Sequence, residues 1–352
     1  MPPGSTSPCC RIASTRACIR RSVSAIWRRP WPPCPPDTDG MPALPDLSAT
    51  ELQAFAERYG LDSPLTRLPS RGIVNRVYLA RRAGQPVVLR VPMPGDDEDT
   101  LTESVAVPAA VRTGVNTPDL LIFDNSRAVL DAPVTVYALA PGQSLDSCGW
   151  AHGDPRLRRA WQAAGRALAR LHAGVSSVDD PQGLLEVITP PDTAQVMVRV
   201  LDGGHLSRAE ARWTADTVDR LLRETSPPLQ PAFLHNDLHP GNLMVTEGGA
   251  VTALIDWGDA GWGDPALDLC YGGPLAAPDL WRGYEDEAPG VLGEAAPLRL
   301  LAYLLHDATR RLARAPDAHG HGDLWYTRPG TALMQLLRVS PQFPDWAEVF
   351  CR

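Results

Sequence analysis

Residues 235–242, His235-Asn236-Asp237-Leu238-His239-Pro240-Gly241-Asn242, read "HNDLHPGN" and pack two histidines, an aspartate and two asparagines into eight positions. By residue type alone this fits a metal site, a phosphoryl-transfer loop or a polar turn. The continuation, "LMVTEGGAVTALIDWGD", separates them. Leu243-Met244-Val245 and Val251-Thr252-Ala253-Leu254-Ile255 are strand-like runs around a Glu247-Gly248-Gly249 turn, a hairpin pattern. A hairpin brings its ends together, so Asn242 at its entrance falls beside Asp256 at its exit, with Asp237 just before them. Hard Mg²⁺ keeps several waters and takes one or two protein oxygens plus phosphate oxygens. A carboxylate near such an ion but not bound to it can take the proton of an attacking hydroxyl. The order loop Asp, Asn, strand, turn, strand, Asp is the working core of the kinase phosphoryl-transfer template.

The rest of the chain suits an enzyme of that size. At 352 residues, 44% hydrophobic and 21% charged, it is long enough for two lobes around a sizeable core. The formal charge of −8 argues against a nucleic-acid partner, whose binder carries a basic footprint. No run approaches the ~20 apolar residues of a membrane span, and no protein partner is evident. All 33 basic residues are Arg, the mark of a GC-rich coding bias. The acidic runs Asp96-Asp97-Glu98-Asp99 and Glu285-Asp286-Glu287 read most simply as solvated loops.

Residues 1–40 stand apart. They hold four of the seven Cys, six Arg against two Asp, and the run "RRPWPPCPPD", without helical or strand period. They lack the continuous apolar stretch of a secretory signal and read as a disordered or mis-started extension, with Met41 as the functional beginning. Only Cys148, Cys270 and Cys351 remain in the body, far apart and without C-x-x-C spacing, the usage of a reduced cytoplasmic protein with no zinc site.

In the body, Ser48 and Glu51 form a capping box before Leu52, Phe55, Ala56 and Tyr59 on one helical face, and Gly60 stops the helix. "VNRVYLARR", a Gly84-Gln85 turn and "PVVLRVP" make an antiparallel hairpin. A helix follows over 101–113, kinked or divided by Pro108, and "DLLIFD" and "APVTVYALAP" are further strands. After residue 150 the patterning turns helical, opening with Asp154 as N-cap, Pro155 at the first position, and Leu157, Ala160, Trp161, Ala164, Leu168 and Leu171 recurring at helical spacing. Ser207 and Glu210 open another helix, and "RLLAYLLHDATRRLA" and "TALMQLL" are helical too. The fold class expected is α+β, a protein-kinase-like pair of lobes: 41–140 as an antiparallel-sheet nucleotide-binding lobe, 141–352 as a larger, mainly helical lobe that carries the catalytic hairpin and the substrate site. The boundary falls near Pro141-Gly142.

"FLHNDLHPGNLMV" followed by "LIDWGDAGWGDPALDL" resembles the aminoglycoside phosphotransferase family, small-molecule kinases with the protein-kinase fold and choline- and macrolide-kinase relatives. Each part of H-x-D-x-x-x-x-N, I-D-W and G-D-P-x-x-D-L lies at the expected distance from the last, and weaker similarity extends over residues 65–270. The resemblance implies Asp237 as catalytic base, His235 as the support of its loop, and Asn242 and Asp256 as Mg²⁺ ligands. It implies ATP as donor, with GTP as the alternative, and a hydroxyl of a small molecule as acceptor. It places "SRGIVNRVY", with Gly72 and Asn75, at the nucleotide-covering turn, and Arg90 where the family has its phosphate-holding Lys. Glu103 becomes the ion-pair partner of Arg90, and the backbone at Ala138 to Ala140 the adenine contact. Arg for Lys is a departure, since a planar fork replaces a point charge, but a guanidinium still holds phosphate oxygens bidentately.

Two rival readings stay open from the residues. His235, Asp237 and His239 could be ligands of a metallohydrolase, and Arg90 with a Gly-poor loop could mark a catalytically silent nucleotide-binding protein. Asp264, Asp268 and His172 read as structural, Trp257 as packing beneath the site, and His319 and His321 as loop residues.

Overall fold

The computed structural model describes residues 46–68, 75–189, 192–225, 230–314 and 328–350. The extension at 1–40, the covering-turn residue Gly72, and His319 and His321 lie outside the described residues.

The first helix, α1 (Ala49–Tyr59), has both halves of the Ser48/Glu51 capping box and ends on Gly60 in the left-handed conformation (φ 63°). It leads to β1 (Asp62–Arg67), β2 (Asn75–Arg82) and β3 (Gln85–Pro92). The β2–β3 turn is Ala83-Gly84, both with positive φ, the backbone that lets a two-residue hairpin follow the strands' twist. Then come α2 (Asp97–Val111), β4 (Leu120–Asp124) and β5 (Val134–Ala138). The five strands form one antiparallel sheet in the order β1-β2-β3-β5-β4. One sheet face packs Tyr78, Ala80, Val87, Leu89, Val91, Val134 and Val136 against Phe55, Ala56 and Tyr59 of α1. The other face carries the register-paired Val77, Arg90 and Thr135, with Leu79, Val88 and Tyr137 beside them.

Two sequence expectations are corrected here. The acidic run at 96–99 is no loop: Asp97, Glu98 and Asp99 make the first turn of α2, where carboxylates complement the positive end of the helix dipole. Likewise Glu285, Asp286 and Glu287 close a helix. Nor does Pro108 divide α2, which runs through it to Val111, its Ala106, Val107, Ala109 and Ala110 buried in the main core. Tertiary burial outweighs the lost backbone donor.

Beyond Ala138 lie β6 (Gln143–Ser144), α3 (Pro155–Gly174), α4 (Thr193–Asp202), α5 (Arg208–Glu224), β7 (Ala232–Leu234), β8 (Leu243–Val245), β9 (Val251–Leu254) and β10 (Gly261–Gly263). After them come α6 (Pro265–Asp268), α7 (Ala277–Glu287), α8 (Ala296–Leu312), α9 (Thr331–Val339) and α10 (Pro344–Phe350). The strands form two small sheets, β6-β8-β9 and β10-β7, both antiparallel. Asp154 caps α3, and Ala160, Trp161, Ala164, Leu168 and Leu171 are its buried stripe. The core of this lobe unites α3, α7 and α8 with Phe233, Leu234, Leu238, Leu243 and Leu254 around the β8–β9 hairpin. Gly142 (φ 94°), just before β6, runs so close to β8 that an added Cβ would lie 2.3 Å from the Val245 carbonyl oxygen. No helix among the described residues is long and apolar enough to cross a membrane.

Candidate active site

The hairpin closes as its pattern requires. Leu243 pairs with Leu254, and the Ile255 N–H donates to the Asn242 carbonyl at 3.0 Å, so Asn242 and Asp256 lie at the same end. The Asn242 amide donates to the Asp237 carbonyl oxygen at 3.0 Å and to its Oδ2 at 2.9 Å. This turns the Asn242 amide nitrogen toward the loop aspartate and leaves its Oδ1 as the atom a cation would use. Asp256 has φ 67° and Asn236 φ 64°, left-handed positions that Asn and Asp tolerate better than other residues and that recur at functional loops.

His235 is fully buried. Its Nδ1 accepts from the Asp237 N–H at 3.3 Å and its Nε2 donates to the Ile255 carbonyl at 3.1 Å. One ring thus ties the loop to the far strand of the hairpin. Burial lowers its pKa, although Asp268 and Asp256 pull the other way, and the neutral tautomer is the one these two bonds require. Both nitrogens are used internally, so His235 is no metal ligand, and among the described residues no group of three or more His, Cys, Asp or Glu is placed to hold a metal. The hydrolase constellation of His235, Asp237 and His239 is therefore not assembled. Trp257 lies under the loop, buried, with its ring 4.5 Å from that of His235 and its Nε1 donating to Thr117.

The carboxyl of Asp237 is raised well above the ordinary range by burial, reinforced by Asp259 and Asp256. Free of a cation, this cluster of negative charge favours holding a proton there. His239, whose Nδ1 accepts from the Gly241 N–H at 2.9 Å, turns Nε2 toward Asp237 Oδ2 at 3.6 Å. Burial keeps its pKa low too.

Arg90 donates through Nη1 to Glu103 Oε1 and through Nη2 to Asp256 Oδ1 at 3.0 Å. Glu103 is buried and also accepts from the Tyr137 hydroxyl at 2.8 Å. Burial pushes the Glu103 carboxyl up to about 7, and Arg90 opposes this. Burial also works against the ionised form of Asp256, but Arg90 outweighs it and holds that carboxyl below its usual range. At the strand end, the Ala138 N–H is taken by the Asp119 carbonyl and the Leu139 N–H by Pro86. Among the described residues the Ala140 N–H makes no such bond, so of Ala138 to Ala140 it is the one with a donor left over. Asn75 begins β2, buried, with an Oδ1 that meets no donor among the described residues.

Sequence reading gave "GDPALDL" a structural role without saying what it holds. Asp268 Oδ2 accepts from the His235 N–H at 2.8 Å and from His172 Nε2 at 3.0 Å, and Oδ1 accepts from the Asn236 N–H at 2.7 Å. A buried carboxylate thus grips the backbone of the 235–242 loop from below, braced by His172, whose Nδ1 meets the Tyr284 hydroxyl at 3.0 Å. Asp264 caps α6 and receives Arg299 at 2.7 Å and Tyr303 at 2.9 Å. Gly258 packs so closely on the first turn of α2 that a Cβ would lie 2.6 Å from that of Asp99. The segment after Asp256 and the first turn of α2 are therefore in contact.

An antiparallel sheet lobe over a helical lobe, with a half-buried loop aspartate, an Asn and a second Asp at one hairpin end, defines the class: a protein-kinase-like fold bearing a phosphoryl-transfer loop. The family is equally plain, since the profile described as "Phosphotransferase enzyme family" matches residues 66–290. The chain belongs to that family and is a small-molecule phosphotransferase, as the resemblance to aminoglycoside phosphotransferases implied. It is 26% identical over 237 residues to the uncharacterized protein YcbJ of Bacillus subtilis, covering 62% of this chain and 74% of that protein. Among solved structures, it resembles the macrolide 2′-phosphotransferase MphH of Brachybacterium faecium (TM-score 0.50, 22% identity, 78% of this chain and 100% of that one). It also resembles the GDP complex of a variant aminoglycoside 2′-phosphotransferase IIIa (0.55, 19%, 86% and 93%) and a choline/ethanolamine kinase family protein of Mesorhizobium loti (0.51, 20%, 86% and 96%).

Proposed function

We propose that this enzyme moves the γ-phosphoryl group of ATP, with GTP as the alternative donor, to a hydroxyl of a small molecule, and that Mg²⁺ is its cofactor. The observation that carries the reading is the convergence of Asp237, Asn242 and Asp256 at one end of the hairpin, with Arg90 of the sheet lobe reaching the same point. The donor set suits the ion: Asn242 Oδ1 and the Asp256 carboxylate are two hard oxygens, the number Mg²⁺ takes from protein when phosphates and water complete its shell. When bound, the ion supplies positive charge where phosphate charge gathers.

The protein groups do the rest. Asp237 receives the proton of the acceptor hydroxyl, and Asn242 fixes the aspartate's orientation through its amide. His235 and Asp268 keep the loop from shifting, which matters because transfer depends on alignment more than on covalent chemistry. Arg90, steadied by Glu103, contacts phosphate oxygens, and the nucleotide base lies against Val77, Leu79 and Val88 with the Ala140 N–H as donor. We place the division of the lobes at residue 140, with 41–140 binding nucleotide and 141–352 carrying catalysis and acceptor. Cys148 and Cys270 are free thiols, which suits a cytoplasmic enzyme.

The test is nucleotide consumption with Mg²⁺ and ATP or GTP against a panel of aminoglycosides, macrolides and amino alcohols, with Asp237→Ala alongside. The reading expects turnover with one acceptor class, abolished in the variant while nucleotide binding persists. Turnover that survives Asp237→Ala would overturn the assignment of the base.

A further inference from the structure

Arg90 spans two carboxylates through separate nitrogens, Nη1 to Glu103 and Nη2 to Asp256. A lysine ammonium is a single compact charge and lacks this fork. Glu103 is buried and is also held by Tyr137, so the Nη1 side of the fork is fixed deep in the sheet lobe. Asp256 differs: its side chain is 45% accessible, and among the described residues its carboxylate accepts a hydrogen bond from Arg90 alone. On the neighbouring loop, the Asp237 carboxyl feels the charges of Asp259, Asp256 and Asp99. A carboxylate this accessible draws cations from solution unless one already neutralises it.

We infer that Arg90 holds the place of the divalent cation in the nucleotide-free enzyme, so that the metal enters productively only with a nucleotide whose phosphates draw Nη2 away from Asp256. This rests on the reading of Asp256 as a metal ligand. The guanidinium stays attached through Nη1 to Glu103 and exchanges one anionic partner, a carboxylate oxygen, for another, a phosphate oxygen. Asp256 has a cationic partner at both stages: Arg90 before loading, and the cation afterwards. The consequence is an order of assembly built into the departure from Lys. Free metal is disfavoured at the empty site, and nucleotide and metal bind cooperatively because one ligand removes the competitor of the other.

Binding of Mn²⁺ alone, without nucleotide, tests this by electron paramagnetic resonance and calorimetry on the full chain. Arg90→Met keeps an apolar stem and removes the charge, and is expected to bind Mn²⁺ alone about tenfold tighter than the wild type or more. The gain should vanish in Arg90→Met combined with Asp256→Asn. Arg90→Gln, which keeps a hydrogen-bonding partner for Glu103, serves if the Met variant does not fold, with the same gain expected. Equal Mn²⁺ affinity in wild type and the neutral variants would overturn the place-holder role. Mn²⁺ with ADP separates the two assignments. If Asp256→Asn weakens Mn²⁺ binding in the presence of ADP while the Arg90 variants show no gain, only the place-holder falls. If Asp256→Asn leaves Mn²⁺ binding with ADP unchanged, the ligand assignment falls and the inference with it.

Discussion

Replacing Asp268 with Asn tests whether a residue outside the chemistry holds the chemistry in place. The carboxylate accepts three hydrogen bonds: His235 N–H at 2.8 Å and His172 Nε2 at 3.0 Å on Oδ2, and Asn236 N–H at 2.7 Å on Oδ1. An amide has one oxygen and one NH₂, so whichever way it turns, one backbone N–H of the catalytic loop faces a donor. His172 can adapt by exchanging tautomers, but a peptide N–H cannot. A hydrogen bond to a charged acceptor contributes about 1.5–3 kcal/mol, and a buried donor left unmet costs about 1–3 kcal/mol. Part of the second cost is relieved as the loop shifts, so Asp268→Asn should lose roughly 3–4 kcal/mol of stability. The shift carries Asp237 with it, and a displacement near 1 Å at a catalytic group costs on the order of 10²-fold in rate. The assays are urea unfolding followed by tryptophan fluorescence and steady-state turnover with the acceptor found in the panel. A loss under about 1 kcal/mol with unchanged turnover would refute the account, because the loop would then be held by His235 alone.

Asp237→Asn should retain nucleotide binding by calorimetry and lose transfer by roughly 10²–10⁴-fold, the span of general-base contributions; a smaller loss would assign the base elsewhere. Arg299→Lys strands a buried fork that reaches Asp264, the Thr225 carbonyl and the Leu292 carbonyl at once, and should cost about 2–4 kcal/mol in a urea titration. Stability should fall on acidification through His306, which burial holds at about 4 against an ordinary 6.5. The unfolded chain takes up its proton first, so the contribution is complete above pH 6.5 and declines as pH drops toward 4. Its full size is about 3 kcal/mol, and a flatter urea midpoint between pH 7 and 4.5 in His306→Gln would confirm the source. Gly142→Ala combines a left-handed backbone with a Cβ placed 2.3 Å from the Val245 carbonyl, and a melting-temperature loss of several degrees is expected.

How much of this molecule could be read in its sequence follows the range of the interactions. Ser48 and Glu51 cap α1, and Gly60 ends it, within a span whose physics is local. The β2–β3 and β8–β9 hairpins are equally local, and the second places Asn242 beside Ile255 and Asp256 from turn geometry alone. Arg90 and Glu103 are thirteen residues apart and join across one connection. The illegible features are long-range or very short. β7 pairs with β10, three residues against three, Leu234 facing Gly261, and neither run is long enough to show a period. The capped turn at Asp264 looked like a motif, yet its partner Arg299 lies 35 residues away on α8. The start of α2 was misread because an acidic run signals solvent exposure and a helix N-terminus alike, and only the structure tells which.

The Arg-only composition, a coding bias on the page of the sequence, becomes architecture at the buried positions. Where an arginine lies exposed, as Arg158 does near Asp279 at 4.0 Å, its charge is all that counts, and such a pair contributes little. Where it is buried, the chain uses the fork. Arg299 joins α8 to the cap of α6, to the end of α5 and to Leu292 through three nitrogens, and Arg311 braces Asp307 within its own helix. Arg90 joins Glu103 of one lobe to Asp256 of the other. Arg299 and Arg90 each satisfy acceptors that lie in different directions, which a rotating ammonium meets only one or two at a time. The same substitution that makes Arg90 look like a departure from a kinase lysine is therefore what lets it touch Glu103 and Asp256 together.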